Sequence, residues 1–114
     1  MQSVLMRLAN SLTAIQGLKV YHYWRPRLSA PFCIWAEDGE GDSVHSNNHK
    51  SEQAITGTVD YFTKTEFDPA VDSIQNALNS IEVCGWTLNS VQYEDETNLI
   101  HFEWRFEISG QVEV

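Results

Sequence analysis

Two histidines with metal-ligand chemistry lie four residues apart in this 114-residue sequence, at His45 and His49. Glu40 and Asp42 precede them, and imidazole and carboxylate groups are ligands for divalent metals. On a helix this spacing would place both rings on one side. The intervening residues 46–48 are Ser-Asn-Asn, a poor helix-forming run. The favoured interpretation is therefore a solvated flexible loop, with a metal site as the alternative.

An acidic cluster in the same stretch has the chemistry to bind calcium. It consists of Glu37, Asp38, Glu40 and Asp42. An EF-hand loop carries glycine at its sixth position, whereas this run has glycines at its third and fifth positions. The spacing therefore does not indicate a specific calcium site.

A third set of side chains alternates along one strand-like segment near the end of the sequence: His101, Glu103, Arg105 and Glu107. Residues two apart on a strand share a face and are about 7 Å apart, so an acid–base pair in a cleft is one interpretation. A charge ladder on a solvent-facing sheet is the favoured one. Contact of this face with another subunit is a third.

The two cysteines, Cys33 and Cys84, lie in apolar stretches without a cationic neighbour to lower a thiol pKa. They are predicted to be reduced and buried. The sequence contains no G-x-G-x-x-G, P-loop, G-x-S-x-G or H-E-x-x-H motif. These observations predict a protein that is not an enzyme and has no cofactor and no metal.

Charge and hydropathy restrict the classes of partner. Sixteen acidic and seven scattered basic residues give a formal net charge of −9, which disfavours nucleic acids and anionic membranes as partners. The longest apolar run, residues 32–36, is too short to span a bilayer, and Arg7 interrupts the apolar start. The expectation is a soluble intracellular domain.

Hydrophobic periodicity predicts the elements that must position these groups. Helices are expected at 3–16 and 69–82, and strands at 18–24, 32–36, 53–64, 86–88, 91–93 and 100–108. The phase of alternation slips between Leu88 and Val91, which predicts a bulge near Asn89. Residues 37–51 are expected to be a polar flexible loop. This order predicts one α+β domain of two layers, with a mainly antiparallel sheet and both helices on one face.

The sequence is rich in aromatic residues, with four Trp, four Tyr and five Phe. Tyr21, Tyr23, Trp24 and Trp35 lie on predicted strands or at strand ends, and one small core does not need all of them. Exposed aromatic side chains anchor protein interfaces, so this surplus favours an assembly subunit.

Three segments, residues 57–64, 68–78 and 88–106, carry a family resemblance. The first is Gly-Thr-Val-Asp-Tyr-Phe-Thr-Lys, the second opens with Asp-Pro before a helix, and the third ends in the alternating aromatic strand. In this order they resemble small tail completion or tail terminator proteins of long-tailed phages and prophages, a group that includes the lambda-type terminator. The resemblance covers most of the chain outside residues 37–51.

The resemblance implies a structural subunit of the virion tail that assembles in the host cytoplasm into a hexameric ring. Such a ring caps the tail tube, joins it to the head-side connector and lets DNA pass without sequence-specific binding. The expected inter-subunit contacts are Tyr21, Tyr23, Trp24, Trp35, His101, Glu103, Arg105 and Glu107. The expected docking loop presents Asp38, Glu40, Asp42, His45 and His49.

Three other functions remain open at the level of the sequence. One is a head-side neck or head–tail joining protein of similar size and architecture. Another is a small α+β metal- or ligand-binding protein or enzyme that uses His22, His45, His49 or His101 with nearby carboxylates. The third is a monomeric adaptor that binds a cellular partner through its aromatic patch.

Overall fold

The computed structural model describes residues 1–27, 29–46 and 49–113. These residues form two helices and six strands, and the predicted α+β class is confirmed. The helices are α1 (Gln2–Thr13) and α2 (Pro69–Ser80), and neither is long and apolar enough to cross a membrane. The strands are β1 (Val20–His22), β2 (Phe32–Glu40), β3 (Val44–Ser46), β4 (His49–Thr63), β5 (Cys84–Glu94) and β6 (Leu99–Gln111).

The six strands form one sheet in the order β1-β2-β4-β6-β5, with β3 also pairing to β4. All pairs are antiparallel except β1 with β2, which are parallel. The strand predicted at 18–24 is shorter in the structure, where β1 has three residues. β1 and β5 are the two ends of the strand order. The sheet presents a different strand at each of its two edges.

Both helices follow from their apolar spacing and from local capping. On α1, Val4, Leu5, Leu8 and Leu12 are buried, which is the predicted stripe. On α2, the Asp68 side chain accepts a hydrogen bond from the Ala70 N–H, and proline occupies the first helical position. The two helices pack against each other and share one hydrophobic core with the sheet, so both cover the same face.

Strand register assigns the side chains of the sheet to its two faces. Trp104 pairs with Val59 on β4 and with Leu88 on β5, and its side chain is fully buried beneath the helices. The neighbouring residues on β6 alternate to the opposite face, which carries no helix. The predicted bulge is also present, since the β5–β6 register shifts between Leu88 and Ser90.

The prediction of an irregular loop over residues 37–51 is wrong for most of this stretch. β2 continues to Glu40 with a bulge at Asp38, and β3 then pairs with the start of β4. Residues 47 and 48 lie outside the described part of the chain. We call residues 41–51 the arm.

Candidate assembly surfaces

The predicted charge ladder lies on the sheet face that carries no helix. His101, Glu103, Arg105 and Glu107 share this face, as their alternation on β6 predicts. His101 Nε2 lies 2.6 Å from a carboxylate oxygen of Asp60 on β4, so the histidine is paired across strands and not with Glu103. The arrangement is a cross-strand ladder of polar and charged side chains on a sheet face without helices.

Two further members of the ladder, Arg105 and Glu103, also have polar partners. A guanidinium nitrogen of Arg105 lies 3.0 Å from an oxygen of Asp38, and the Glu103 carboxylate accepts a 2.5 Å hydrogen bond from the Asn89 side-chain amide. Asp38 also accepts a hydrogen bond from the Thr56 hydroxyl at 2.8 Å. These side-chain bonds link β2, β4 and β6 to one another and to β5.

Aromatic side chains and an arginine continue this face at one end of the sheet. The His101 ring stacks on Phe62 with ring centroids 4.2 Å apart. The Arg25 guanidinium lies over the same Phe62 ring, 4.8 Å from its centroid. Phe62 in turn packs with Phe32 in a small second core, against which Tyr21 is half-buried. Tyr21 therefore has a packing role within its own chain.

His22 and Trp35 form a parallel stack at the β1 edge. Their ring centroids are 3.7 Å apart with planes inclined by 10°, and His22 Nε2 lies 2.7 Å from a Glu37 carboxylate oxygen. Trp35 is only 6% exposed and belongs to the main core. It is therefore not available as a surface anchor in the single chain, contrary to the expectation from sequence. The sequence pattern could not predict this burial, because β1 and α1 cover Trp35 through tertiary contacts.

Tyr23 and Trp24 are held outward by a tight turn. Tyr23 has a positive φ of 71°, and the Trp24 N–H donates to the His22 carbonyl at 2.9 Å, which closes a γ-turn. Trp24 is 76% exposed and Tyr23 49%. Interaction with the Glu37 carboxylate raises the pKa of the Tyr23 hydroxyl. Arg25 and Arg27 follow and are also exposed. We call Tyr23, Trp24, Arg25 and Arg27 the edge patch.

A second apolar surface lies at the opposite edge of the sheet, and the sequence analysis did not identify it. Val91 and Tyr93 on the outer strand β5 are 51% and 60% exposed. Phe67, in the turn before α2, is fully exposed and has a positive φ of 54°. In the sequence, Phe67 is an isolated aromatic residue between two acidic residues and outside any periodic segment, a pattern that could have indicated an exposed side chain.

Val91 and Phe67 line a groove of about 480 Å³ between the start of α2 and the strands β5 and β6. Five of its eight lining residues are apolar, and the other three carry carboxylates. We call it the β5 groove; it is lined by Glu66, Phe67, Asp68, Val71, Asp72, Val91, Ile100 and Phe102. Apart from its final Glu94, β5 carries neither the charge nor the proline that commonly protects an edge strand.

Of the residues predicted to form the docking loop, four lie on β2, β3 and β4, and Asp42 lies between β2 and β3. The Lys50 ammonium donates to both oxygens of Glu40, at 2.6 and 2.8 Å, and this hydrogen bond lowers the Glu40 pKa. Asp42, His45 and His49 are exposed. Within the described ranges, no three His, Cys, Asp or Glu side chains are grouped as a metal site would require. The structure thus does not gather the predicted histidine pair and its carboxylates into one ligand set.

The cysteines do not have the environment of a nucleophile. Cys33 is fully buried, and desolvation raises the pKa of its thiol to about 12. Cys84 is half-buried rather than buried, and desolvation raises its pKa as well. A thiol in such an environment is protonated at neutral pH.

Comparisons with known proteins yield a structural likeness alone. No family model matches the sequence, and no curated protein matches it. A chain from the virion of a native gene transfer agent particle superposes with a TM-score of 0.63 at 10% sequence identity. The match covers 92% of this chain and 92% of that one. The two chains share a fold.

Proposed function

We propose that this chain is a non-enzymatic structural protein of a phage-like virion. The observation that carries the proposal is the likeness to a virion component over nearly the full length of both chains. Because one fold can serve several functions, the proposal also needs support from the surface. That support is the exposed aromatic residues at both edges of the sheet, which suit a subunit whose surfaces become buried by neighbours.

The more specific role we propose is that of a ring subunit, six copies of which cap the tail tube and join it to the head connector. A closed ring needs two different surfaces on each subunit that fit one another. The edge patch and the β5 groove are two such surfaces, and they lie at opposite ends of the strand order. The charge ladder and the arm remain available to contact the tube, the connector or the lumen.

The net charge of −9 suits passage of DNA through the ring. Carboxylates such as Glu103 and Glu107 repel phosphates, so DNA would cross an acidic lumen without adhering to it. Charge reversal at these two positions, Glu103→Lys with Glu107→Lys, is expected to slow DNA ejection or retain DNA in the tail. Unchanged ejection would argue against a lumen position for this face.

The decisive experiment is cryo-electron microscopy of the purified chain mixed with purified tail tubes. We expect a six-fold ring of this chain at the head-proximal end of the tube. A ring found only on the head-side connector would assign the chain to the neck. A chain that binds neither particle part would contradict the proposal.

A further inference from the structure

We propose that Trp24 of one copy inserts into the β5 groove of the next copy, so that subunits join head to tail. This inference rests on the proposed function, because it identifies the contact that would build the ring. The proposed occupant of the groove is a second copy of this chain, and three observations support this proposal.

The first observation is the placement of the two surfaces. Trp24 lies two residues after the end of β1, and the groove lies between α2 and the strands β5 and β6, at the other end of the strand order. Four strand spacings of about 4.8 Å separate these edges, or roughly 19 Å. A contact between different surfaces at opposite edges leaves one of each free after every addition. Such contacts build rings or filaments and do not stop at a dimer.

The second observation is that both surfaces hold an aromatic residue in an unfavourable backbone conformation. Tyr23, beside Trp24, and Phe67, at the mouth of the groove, both have positive φ, which bulky residues rarely adopt. At Tyr23 the conformation belongs to the γ-turn, and its ring stacks on His22 with half of the side chain exposed. The Phe67 side chain is completely exposed, so it gains no burial within the chain that would offset its backbone strain. Backbone strain of this kind is concentrated at binding and catalytic sites.

The third observation is charge complementarity. The lining of the groove includes the carboxylates of Glu66, Asp68 and Asp72 and contains no Lys or Arg. The edge patch carries Arg25 and Arg27 beside the exposed indole, in a chain with only seven basic residues. An apolar anchor with a charged rim is the usual anatomy of a specific interface.

Charge also distinguishes the head-to-tail contact from symmetric ones. Two edge patches facing each other would bring Arg25 and Arg27 against their own copies. Two grooves facing each other would bring six carboxylates together. Each symmetric contact therefore opposes like charges, whereas the contact between patch and groove opposes unlike ones.

Photo-crosslinking tests the contact without requiring stable rings. Benzoylphenylalanine replaces Trp24, and ¹⁵N-labelled and unlabelled protein are mixed at the highest soluble concentration. We expect crosslinks between labelled and unlabelled copies that map to residues 66–72 or 91–93. Crosslinks confined to one copy, crosslinks that map elsewhere, or no crosslinks would overturn the inference.

Variant mixing provides a second test. Trp24→Ala and Phe67→Ala should each weaken self-association at least about tenfold, while both stay folded because the two side chains are exposed. Mixed together, the two variants should form a 1:1 dimer and nothing larger, since one intact patch meets one intact groove. Val44→Ala, which removes a half-exposed apolar side chain from the arm, is the matched control and should associate normally.

Charge exchange completes the test, since Arg27→Glu should weaken association and combining it with Glu66→Arg in the same chain should restore it. The inference would be overturned if Trp24→Ala associated as strongly as the wild type, or if the Trp24→Ala and Phe67→Ala variants did not form a dimer when mixed. The proposed function fails separately. If the chain forms a ring on tail tubes but its crosslinks map elsewhere, only the proposed contact is contradicted. If the predicted crosslinks form but the chain binds neither tail tube nor connector, only the proposed function is contradicted.

Discussion

The Asp68 carboxylate joins the end of β4 to the start of α2. One of its oxygens accepts hydrogen bonds from the Tyr61 hydroxyl at 2.6 Å and the Thr63 hydroxyl at 2.7 Å. The other accepts a bond from the Ala70 N–H at 2.9 Å. Because α2 forms one wall of the β5 groove, this carboxylate positions Phe67 and the groove relative to the sheet.

Replacing Asp68 should therefore destabilise the protein beyond the loss of a helix cap. Asp68→Ala removes a cap worth about 1 kcal/mol and leaves the buried Tyr61 hydroxyl without its acceptor, at about 1–3 kcal/mol. We expect the free energy of unfolding in urea to fall by about 3 kcal/mol. Asp72→Ala, which removes an exposed acid from the same helical turn, should cost about 0.5 kcal/mol. Equal losses for the two variants would show that the Tyr61 bond contributes nothing.

Asp68 should also make the free energy of unfolding depend on pH in the acidic range. Burial alone would raise its pKa, but the hydrogen bonds from Tyr61, Ala70 and Thr63 outweigh burial and lower it. A carboxyl whose pKa is lower in the folded state stabilises fully above its unfolded pKa, and this contribution is lost as pH falls through the folded pKa. Urea unfolding from neutral pH down to about pH 2 should show a shallower loss for Asp68→Asn than for wild type. Parallel curves would contradict the assignment.

Val83 is predicted to be a site where glycine stabilises the protein. It has a positive φ of 56°, which is unfavourable for a β-branched residue, and it is 66% exposed. Its carbonyl accepts the Ser109 N–H, a bond that does not need the side chain. Val83→Gly should raise the free energy of unfolding by about 1 kcal/mol.

The matched control is Val91→Gly, on the extended outer strand β5. Glycine there should lower the free energy of unfolding by about 1 kcal/mol. A decrease at both positions in thermal or urea unfolding would mean that the backbone at Val83 is not strained.

Gly57 and Gly85 should respond in opposite ways to alanine. A Cβ on Gly57 would collide with the Ala36 carbonyl and the Phe106 ring, whereas a Cβ on Gly85 meets no atom within 4 Å. Gly57→Ala should cost about 1–3 kcal/mol or more through overpacking. Gly85→Ala should be neutral or gain about 0.5 kcal/mol, because alanine loses less backbone entropy in a strand. Similar values for both would contradict the packing of Phe106 over Gly57.

The arm should be dispensable for folding and for self-association but needed to join tails. Replacing residues 41–51 by a short turn removes β3 and leaves the core untouched, since the core residues lie on the helices and the central strands. We expect a normal unfolding transition, unchanged crosslinking from position 24 and loss of tail joining in an assembly assay. The substitution Lys50→Ala, which breaks only the pair with Glu40, controls for loss of local structure. Normal joining without the arm would refute a docking role.

Much of the fold was predictable because its signals are local. The alternation over residues 100–108 and the phase slip near Asn89 depend only on which face of a strand is buried. The apolar stripe of α1 and the Asp-Pro start of α2 depend only on helical geometry and capping. None of these requires knowledge of a distant partner, so the composition of each segment was enough.

The sequence by itself determined the two helices, the strands with clear apolar alternation and the side chains on the buried face of those segments. Tertiary structure alone decided where those segments meet. It paired β1 in parallel with β2, buried Trp35 beneath α1, extended the polar residues near Glu40 into strands and exposed Phe67 at the far edge. The physical reason is that strand partners and edges are set by contacts between residues distant in sequence, whereas periodicity reports only the local division between buried and exposed faces.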